Sequence, residues 1–159
     1  MSDSVTRLEN LYRDVGPSLL AYLQRRFGDV HAAEDLLHET FFQAARRQEG
    51  LTRAVSPRAW LFGIAKNLAL TAHRRRRATC PLSSVLTTPE ATDDPRLELV
   101  REAVGRLPAA QREALELRLR EGLSYSEIAS ALAIPVGTVR SRLHHAVHRL
   151  RASMAEADE

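Results

Sequence analysis

The sequence predicts an all-α protein made of two small helical domains joined by a flexible linker. Apolar residues recur every three or four positions, and no segment shows the two-residue alternation and β-branched enrichment of strands. The 159 residues suffice for one ordinary domain or two small ones. The stretch 79–96 contains three prolines and a cluster of Ser, Thr and Asp, without periodicity. We therefore interpret 79–96 as the linker, and 1–78 and 97–159 as the domains.

Composition and charge limit the class of protein. The chain is 44% hydrophobic and 27% charged, as expected for a folded globular protein. It has no apolar run near the roughly 18 residues of a membrane span and no secretory pattern at its start, so we expect a cytoplasmic protein. The single cysteine, Cys80, allows neither an internal disulfide nor a structural zinc site. Residues 1–78 carry 13 basic against 8 acidic side chains, whereas 97–159 carry 9 of each. The first half is thus the basic half.

Three helices are predicted in the first half. The N-terminal helix is expected to break near Gly16 and Pro17, because proline lacks the N–H that a helix interior needs. The second helix is expected from about His31 to Gln48. The third is expected from Pro57 to about Arg77, with Ser56 as its N-cap and proline at its first position.

The second helix is amphipathic, and its polar face contains acids and an aromatic residue. That mixture suits a protein partner with a basic surface, although an ordinary solvated face has a similar composition. The apolar stripe is Ala33, Leu36, Leu37, Thr40, Phe41 and Ala44, and the opposite face holds Asp35, His38, Glu39, Phe42 and Arg46.

The third helix carries an aromatic residue, an amide and a basic end. Trp60 lies beside the apolar stripe, and Asn67 follows seven residues later. The amide is either a hydrogen-bonded packing residue or part of a pocket for an extruded base, since it offers both a donor and an acceptor. The helix ends in HRRRR, residues 73–77, which suits a phosphate backbone and also complements a helix C-terminus. We expect DNA backbone contacts from Arg74, Arg75, Arg76 and Arg77.

Four helices are predicted in the second half, at about 97–106, 108–121, 124–132 and 136–153. Ser124 and Glu127 have the spacing of a capping box, which starts the third of these helices after Gly122 has ended the second. The turn to the last helix falls at residues 133–135. The buried stripe of the last helix is expected to be Val139, Leu143, Ala146 and Leu150.

The opposite face of the last helix is polar and edged with arginine. A tight helix pair with such a face has the geometry of a helix-turn-helix, whose second helix enters the major groove of DNA. The alternative is a helical hairpin with a solvated face. The residues of this face are Ser141, His144, His145 and His148, flanked by Arg140, Arg142, Arg149 and Arg151.

The three histidines of this face have several interpretations. A metal site is disfavoured, because two nitrogens from one exposed helix without a nearby acid or thiol make a poor ligand set. Contacts from imidazole to base edges or phosphate are favoured, because neutral imidazole offers one donor and one acceptor. Protonation adds positive charge, so we expect DNA binding to tighten below about pH 6.5.

Three stretches together resemble the bacterial RNA polymerase sigma factors of the extracytoplasmic-function group. They are AEDLLHETF, SPRAWLFGIAKNLALTAHRRRR and LPAAQREALELRLREGLSYSEIASALAIPVGTVRSRL, in the family's order and spacing. They span about residues 33–143. The resemblance implies a region-2 helical bundle at 1–78 and a region-4 helix-turn-helix domain at 97–159.

The resemblance also implies partners and site residues. The partners would be core RNA polymerase, promoter DNA and an inhibitory anti-sigma factor. The acidic linker, with Glu90, Asp93 and Asp94, would thread toward the active-site cleft or the RNA exit path of the polymerase. The stretch 50–58 and the following helix would open the −10 element. Core polymerase would bind Asp35, His38, Glu39 and Phe42; the −10 element Trp60, Lys66, Asn67 and Arg74 to Arg77; and the −35 element Thr138, Arg140, Ser141, Arg142, His144, His145 and His148.

The chain departs from the family pattern at His38, Gly63, His145 and Val147, where relatives often carry Gln, a polar group and, at the last two positions, basic residues. No catalytic motif indicates an enzyme, and we expect neither a cofactor nor a metal. The final residues, ASMAEADE, leave no expectation of a C-terminal sensing domain. Two alternatives remain: a stand-alone helix-turn-helix regulator that does not require polymerase, and a sigma-like protein that binds polymerase but recognises no promoter.

Overall fold

Eight α-helices and no strand make up the part of the chain that the computed structural model describes, residues 2–79 and 94–159. The all-α prediction is confirmed. The described residues divide into two compact units, the first containing α1–α4 and the second containing α5, α6, α8 and most of α7. The helices are α1 (Ser2–Phe27), α2 (Val30–Arg46), α3 (Gln48–Arg53), α4 (Pro57–Thr79), α5 (Pro95–Gly105), α6 (Ala109–Leu119), α7 (Tyr125–Leu132) and α8 (Val136–Ala157).

Most of the predicted linker lies outside the described residues, as do Cys80, Glu90 and Asp93. The side chain of Arg77 lies outside them too. Asp94, which we assigned to the linker, is the N-cap of α5. Its carboxylate accepts a hydrogen bond from the Arg96 N–H at 2.9 Å, and Pro95 takes the first helical position.

The expected break in the N-terminal helix is wrong, because α1 continues through Gly16 and Pro17. Proline removes one hydrogen bond, to the carbonyl of Arg13 four residues earlier. Pro17 and Arg13 are both exposed, so water can bind that carbonyl. On the opposite side Leu19 and Leu23 are fully buried, and this packing offsets the lost bond.

The core of the first unit forms where α1, α2 and α4 pack together. The predicted apolar stripe of α2 is confirmed, with Leu36 partly buried and the rest buried. Thr40 is accommodated there because its hydroxyl donates to the Leu36 carbonyl at 2.7 Å. Edge-to-face aromatic pairs join the helices, Tyr12 with Phe41 at 4.9 Å between ring centroids and Tyr22 with Phe62 at 5.5 Å.

The connection between α2 and α4 contains the short helix α3, which the sequence did not predict as a separate element. Helix α2 ends at Arg46, and α3 follows after Arg47. Helix α4 then starts as predicted: the Ala59 N–H donates to Ser56 Oγ at 3.2 Å, and Pro57 is the first helical residue.

The helix-turn-helix of the second unit is formed by α7 and α8. The capping box is reciprocal, since the Ser124 N–H donates to Glu127 Oε1 and the Glu127 N–H donates to Ser124 Oγ, both at 3.1 Å. Helix α7 ends at Leu132, and the next residue, Ala133, adopts a left-handed φ of 53°. The Ile134 N–H then donates to the Ala129 carbonyl at 3.1 Å, as in a Schellman motif. In α8 the predicted stripe is confirmed, with Leu150 partly buried.

Candidate nucleic-acid and protein interfaces

The exposed face of α2 combines carboxylates with an uncovered aromatic ring. Asp35, His38 and Glu39 are exposed, and the Phe42 side chain is 57% exposed. The guanidinium of Arg46 lies 5.8 Å from the centroid of the Phe42 ring. Burying this ring against a partner would remove apolar surface from water, while the acids would select a partner of positive charge. The four residues predicted to bind polymerase therefore share one accessible face.

An open pocket of about 510 Å³ lies between the end of α2, the start of α3 and the indole of Trp60. Its lining residues are Ala45, Arg46, Arg47, Gln48, Glu49, Gly50 and Trp60. The indole is partly buried and lies against Gly50, where a Cβ would come within 2.8 Å of Trp60 Cζ2. This contact was not predictable from sequence patterns, because the two residues belong to different helices.

Asn67 and Lys66 lie farther along α4 and are not among the lining residues of that pocket. Asn67 is exposed. Its main-chain carbonyl accepts a hydrogen bond from the Thr71 hydroxyl at 3.0 Å. Lys66 is partly buried. Two helical turns, about 10 Å, separate Asn67 from Trp60 along α4. The amide thus lies on the surface, where it can hydrogen-bond to a base edge.

The basic end of α4 contains arginines in different environments. Arg74 and Arg75 are exposed, whereas Arg76 Nη2 lies 3.5 Å from Asp29 Oδ2. The Arg76 guanidinium is also 5.4 Å from the centroid of the buried Phe27 ring. Asp29 was not among the residues predicted to matter, although an acid two positions before a predicted helix start is a candidate N-cap.

The outer face of α8 presents most of the residues predicted to read DNA. Arg140, Ser141, His144, His145 and His148 are exposed, and Thr138 and Arg142 are partly buried. The rings of the adjacent histidines meet edge to face at 5.8 Å between centroids. One helix therefore offers imidazole, hydroxyl and guanidinium groups together, which are the group types that contact base edges and phosphates.

Within 2–79 and 94–159, no group of three or more His, Cys, Asp or Glu side chains could hold a metal ion. Among the helices described, none is long and apolar enough to cross a membrane.

Comparisons with known proteins match both units. The Sigma-70 region 2 family matches residues 11–79, and the Sigma-70 region 4 family matches residues 97–150. The ECF RNA polymerase sigma factor SigL of Mycobacterium tuberculosis is 33% identical over an alignment of 155 residues, and the match covers 92% of this chain and 88% of that protein. The ECF RNA polymerase sigma factor EcfG of Rhodopseudomonas palustris is 32% identical over an alignment of 142 residues, and the match covers 86% of this chain and 78% of that protein.

Two solved structures are similar as well. The sigma factor RpoE of Bartonella quintana, crystallised with the anti-sigma factor NepR, is matched with a TM-score of 0.71 and 27% identity, over 92% of this chain and 96% of that one. CnrH, solved in complex with the cytosolic domain of CnrY, is matched with a TM-score of 0.61 and 29% identity, over 96% of this chain and 89% of that one.

Proposed function

Since this chain belongs to the sigma-70 family, in the extracytoplasmic-function group of RNA polymerase sigma factors, we propose that three of its helices divide the work of promoter-specific initiation. The protein is a promoter-specificity subunit that binds core RNA polymerase, recognises −35 and −10 elements and enables transcription to start. The assignment of residues to partners is supported by three chemically distinct surfaces, one each on α2, α4 and α8. Region 2 is assigned to residues 1–78, the linker to 79–96 and region 4 to 97–159.

Helix α2 binds core polymerase through Asp35, His38, Glu39 and Phe42. The exposed ring of Phe42 supports this assignment, because a large apolar side chain at the centre of a polar face is typical of an interface anchor. The acids around it would attract a basic surface and orient the complex.

Helix α4 binds the −10 element. Its contacts are assigned to Trp60, Lys66, Asn67 and the arginines 74–77. Asn67, Arg74 and Arg75 are all exposed. Their exposure supports two kinds of contact: the amide binds an unstacked base, and the arginines bind backbone phosphates.

Helix α8 reads the −35 element from the major groove. Its contacts are assigned to Thr138, Arg140, Ser141, Arg142, His144, His145 and His148. Their support is the helix-turn-helix geometry, in which the capped α7 and the tight turn at Ala133 hold α8 with its polar face outward.

An anti-sigma factor is the proposed inhibitor of this protein. The support is the complex of the similar RpoE with the anti-sigma factor NepR. The protein has no catalytic activity of its own, because the chemistry of initiation belongs to the polymerase. It acts in the cytoplasm, where bacterial core polymerase transcribes the chromosome.

In vitro transcription tests the proposal. Core polymerase, this protein and a library of promoter-like templates would be incubated, and the starts of the transcripts sequenced. We expect starts that depend on the protein and lie downstream of shared −35 and −10 sequences.

Charge reversal at Asp35 and Glu39 separates the polymerase contact from the DNA contacts. The double variant should lose transcription because it no longer binds core polymerase, while the affinity of α8 for −35 duplex is unchanged. Exchange of the exposed Glu34, one position away on α2, for Lys serves as the control. Initiation without this protein would refute the proposed function. Full transcription by the double variant would refute the assignment of α2.

A further inference from the structure

We propose that Arg76 is a positioning residue and not a phosphate contact: its ion pair with Asp29 holds the end of α4 against the corner between α1 and α2. Arg74 and Arg75 are thereby directed to promoter DNA. This inference rests on the proposed role of α4 in binding the −10 element, and it removes one of the four arginines from the direct contacts.

Both carboxylate oxygens of Asp29 are used within the first unit. Oδ1 accepts from the His31 N–H at 3.0 Å and caps α2, and Oδ2 lies 3.5 Å from Arg76 Nη2. The cap fixes the direction of the carboxylate, so Arg76 meets an acceptor whose place is already set. A phosphate would have to compete with this acceptor for the same guanidinium.

The aromatic residue of the same corner adds a second attachment. Phe27 is 2% exposed, and the His73 ring stacks on it with 4.4 Å between centroids and 19° between planes. The Arg76 guanidinium lies 5.4 Å from the Phe27 centroid. His73 and Arg76 are one turn apart on α4, so both anchor the same side of that helix.

The remaining side of α4 follows from helical geometry. Arg74 and Arg75 are turned by about 100° and 200° from His73, away from the corner. Both side chains are exposed. The charge of Arg76 is balanced by Asp29 at short range, so this pair adds little to the attraction of the surface for a polyanion. Arg76 is thus anchored on the corner side of α4, while Arg74 lies on the outward side.

The test measures binding of the polymerase holoenzyme containing this protein to a −10 promoter fragment over a range of salt concentrations. Arg74→Ala should weaken binding and reduce the slope of log K against log salt by about one, as for a lost phosphate contact. Arg76→Ala should weaken binding by about two- to fivefold, in the range of an exposed ion pair, and leave the slope unchanged.

Asp29→Asn is the decisive variant, because asparagine keeps the helix cap and removes the ion pair. We expect it to weaken binding as much as Arg76→Ala does, and the double variant to be no weaker than either single variant. Arg76→Lys, which retains a cation, should restore most of the affinity.

Two results would overturn the inference: tighter binding by Asp29→Asn, as expected if the acid restrains a phosphate-binding arginine, or a reduced salt slope with Arg76→Ala. If Arg74→Ala changed neither affinity nor slope, the proposed contact of α4 with DNA would fail. The two failures are therefore distinguishable.

Discussion

Gly50 and Trp60 form a contact that leaves no space for a side chain at residue 50. A Cβ there would lie 2.8 Å from Trp60 Cζ2 and 3.2 Å from Cε2. Because the indole lies against the backbone of α3, its position depends on this glycine. The pocket beside it would change shape if the ring moved.

Gly50→Ala is therefore expected to destabilise the first unit by about 1–3 kcal/mol, the usual range for overpacking. Thermal or urea unfolding followed by circular dichroism measures this change. Gly16→Ala is the matched control, because a Cβ at Gly16 would meet the Tyr12 ring at an ordinary 4.0 Å inside α1. That control should gain about 0.5–1 kcal/mol from helix propensity. Equal stability of the two variants would contradict the account of Gly50.

Ala133 is an L-residue in a left-handed backbone conformation, with φ of 53°. This conformation costs about 1–2 kcal/mol in an L-residue, and glycine avoids the cost while losing about 0.5–1 kcal/mol in chain entropy. Ala133→Gly should therefore stabilise the second unit by about 0.5 kcal/mol. Unfolding in urea measures the difference.

The converse substitution lies in the same unit. Gly122 lies in the connection between α6 and α7 with φ of 65°, and a Cβ there would meet nothing within 4 Å. Gly122→Ala should therefore be destabilising through its backbone alone. If both substitutions had the same sign, backbone conformation would not be the cause.

Two helix starts followed from the sequence because short-range hydrogen bonds determine them. The capping box at Ser124 and the Ser56 cap with Pro57 involve residues no more than three apart, and both are present. Asp94 and Pro95 are an N-cap followed by proline, as are Ser56 and Pro57. The N-cap of α5 was therefore predictable from the same pattern.

Features that depend on packing between helices did not follow from the sequence. Continuation of α1 through Pro17 depends on the burial of the opposite side against the rest of the unit. The pairing of Arg76 with Asp29 joins residues 47 positions apart, and the contact of Gly50 with Trp60 joins two helices. Periodicity identified which faces of α2, α4 and α8 are exposed, but it does not specify which side chains meet across elements.

We expect the exposed histidines of α8 to set the strength of its contacts with DNA. His145 is exposed in the middle of the face of α8 that is predicted to contact DNA. His145→Arg should raise the affinity for −35 duplex. It should also steepen the slope of log K against log salt by about one, as for one added phosphate contact. The control Ala155→Arg adds the same charge to an exposed position about three turns farther along α8. Fluorescence anisotropy at several salt concentrations measures both, and an unchanged slope for His145→Arg would contradict the assignment.

The hypothesis that −35 binding depends on pH through histidines can be tested directly. Histidine gains its positive charge as pH falls from about 8 to 5, and added positive charge favours a polyanion. Affinity at constant salt should therefore be higher at pH 6 than at pH 8. A variant with Gln at positions 144, 145 and 148 should bind with little difference between the two. A wild-type affinity that did not change over this range would refute the hypothesis.

The charge of the chain is distributed unequally between its two DNA-binding units. Residues 1–78 hold five more basic than acidic side chains, whereas 97–159 are balanced. We therefore expect nonspecific attraction to phosphate to be concentrated in the first unit, and sequence recognition by α8 to depend more on base contacts than on net charge. On this hypothesis, recognition of a promoter requires both units on one DNA molecule.

The requirement that one chain contacts two promoter elements predicts a defined spacing between them. Inserting five base pairs between the −35 and −10 elements moves one by about 17 Å and turns it by about half a helical turn relative to the other. Initiation that depends on this protein should fall at least about tenfold, while one added base pair should have a smaller effect because sequence-dependent bending of DNA can absorb it. The same five base pairs inserted upstream of the −35 element are the control. Templates with spacers of graded length, transcribed in one reaction and counted by sequencing, measure the dependence. Equal initiation from all spacers would mean that only one of the two units contacts the promoter.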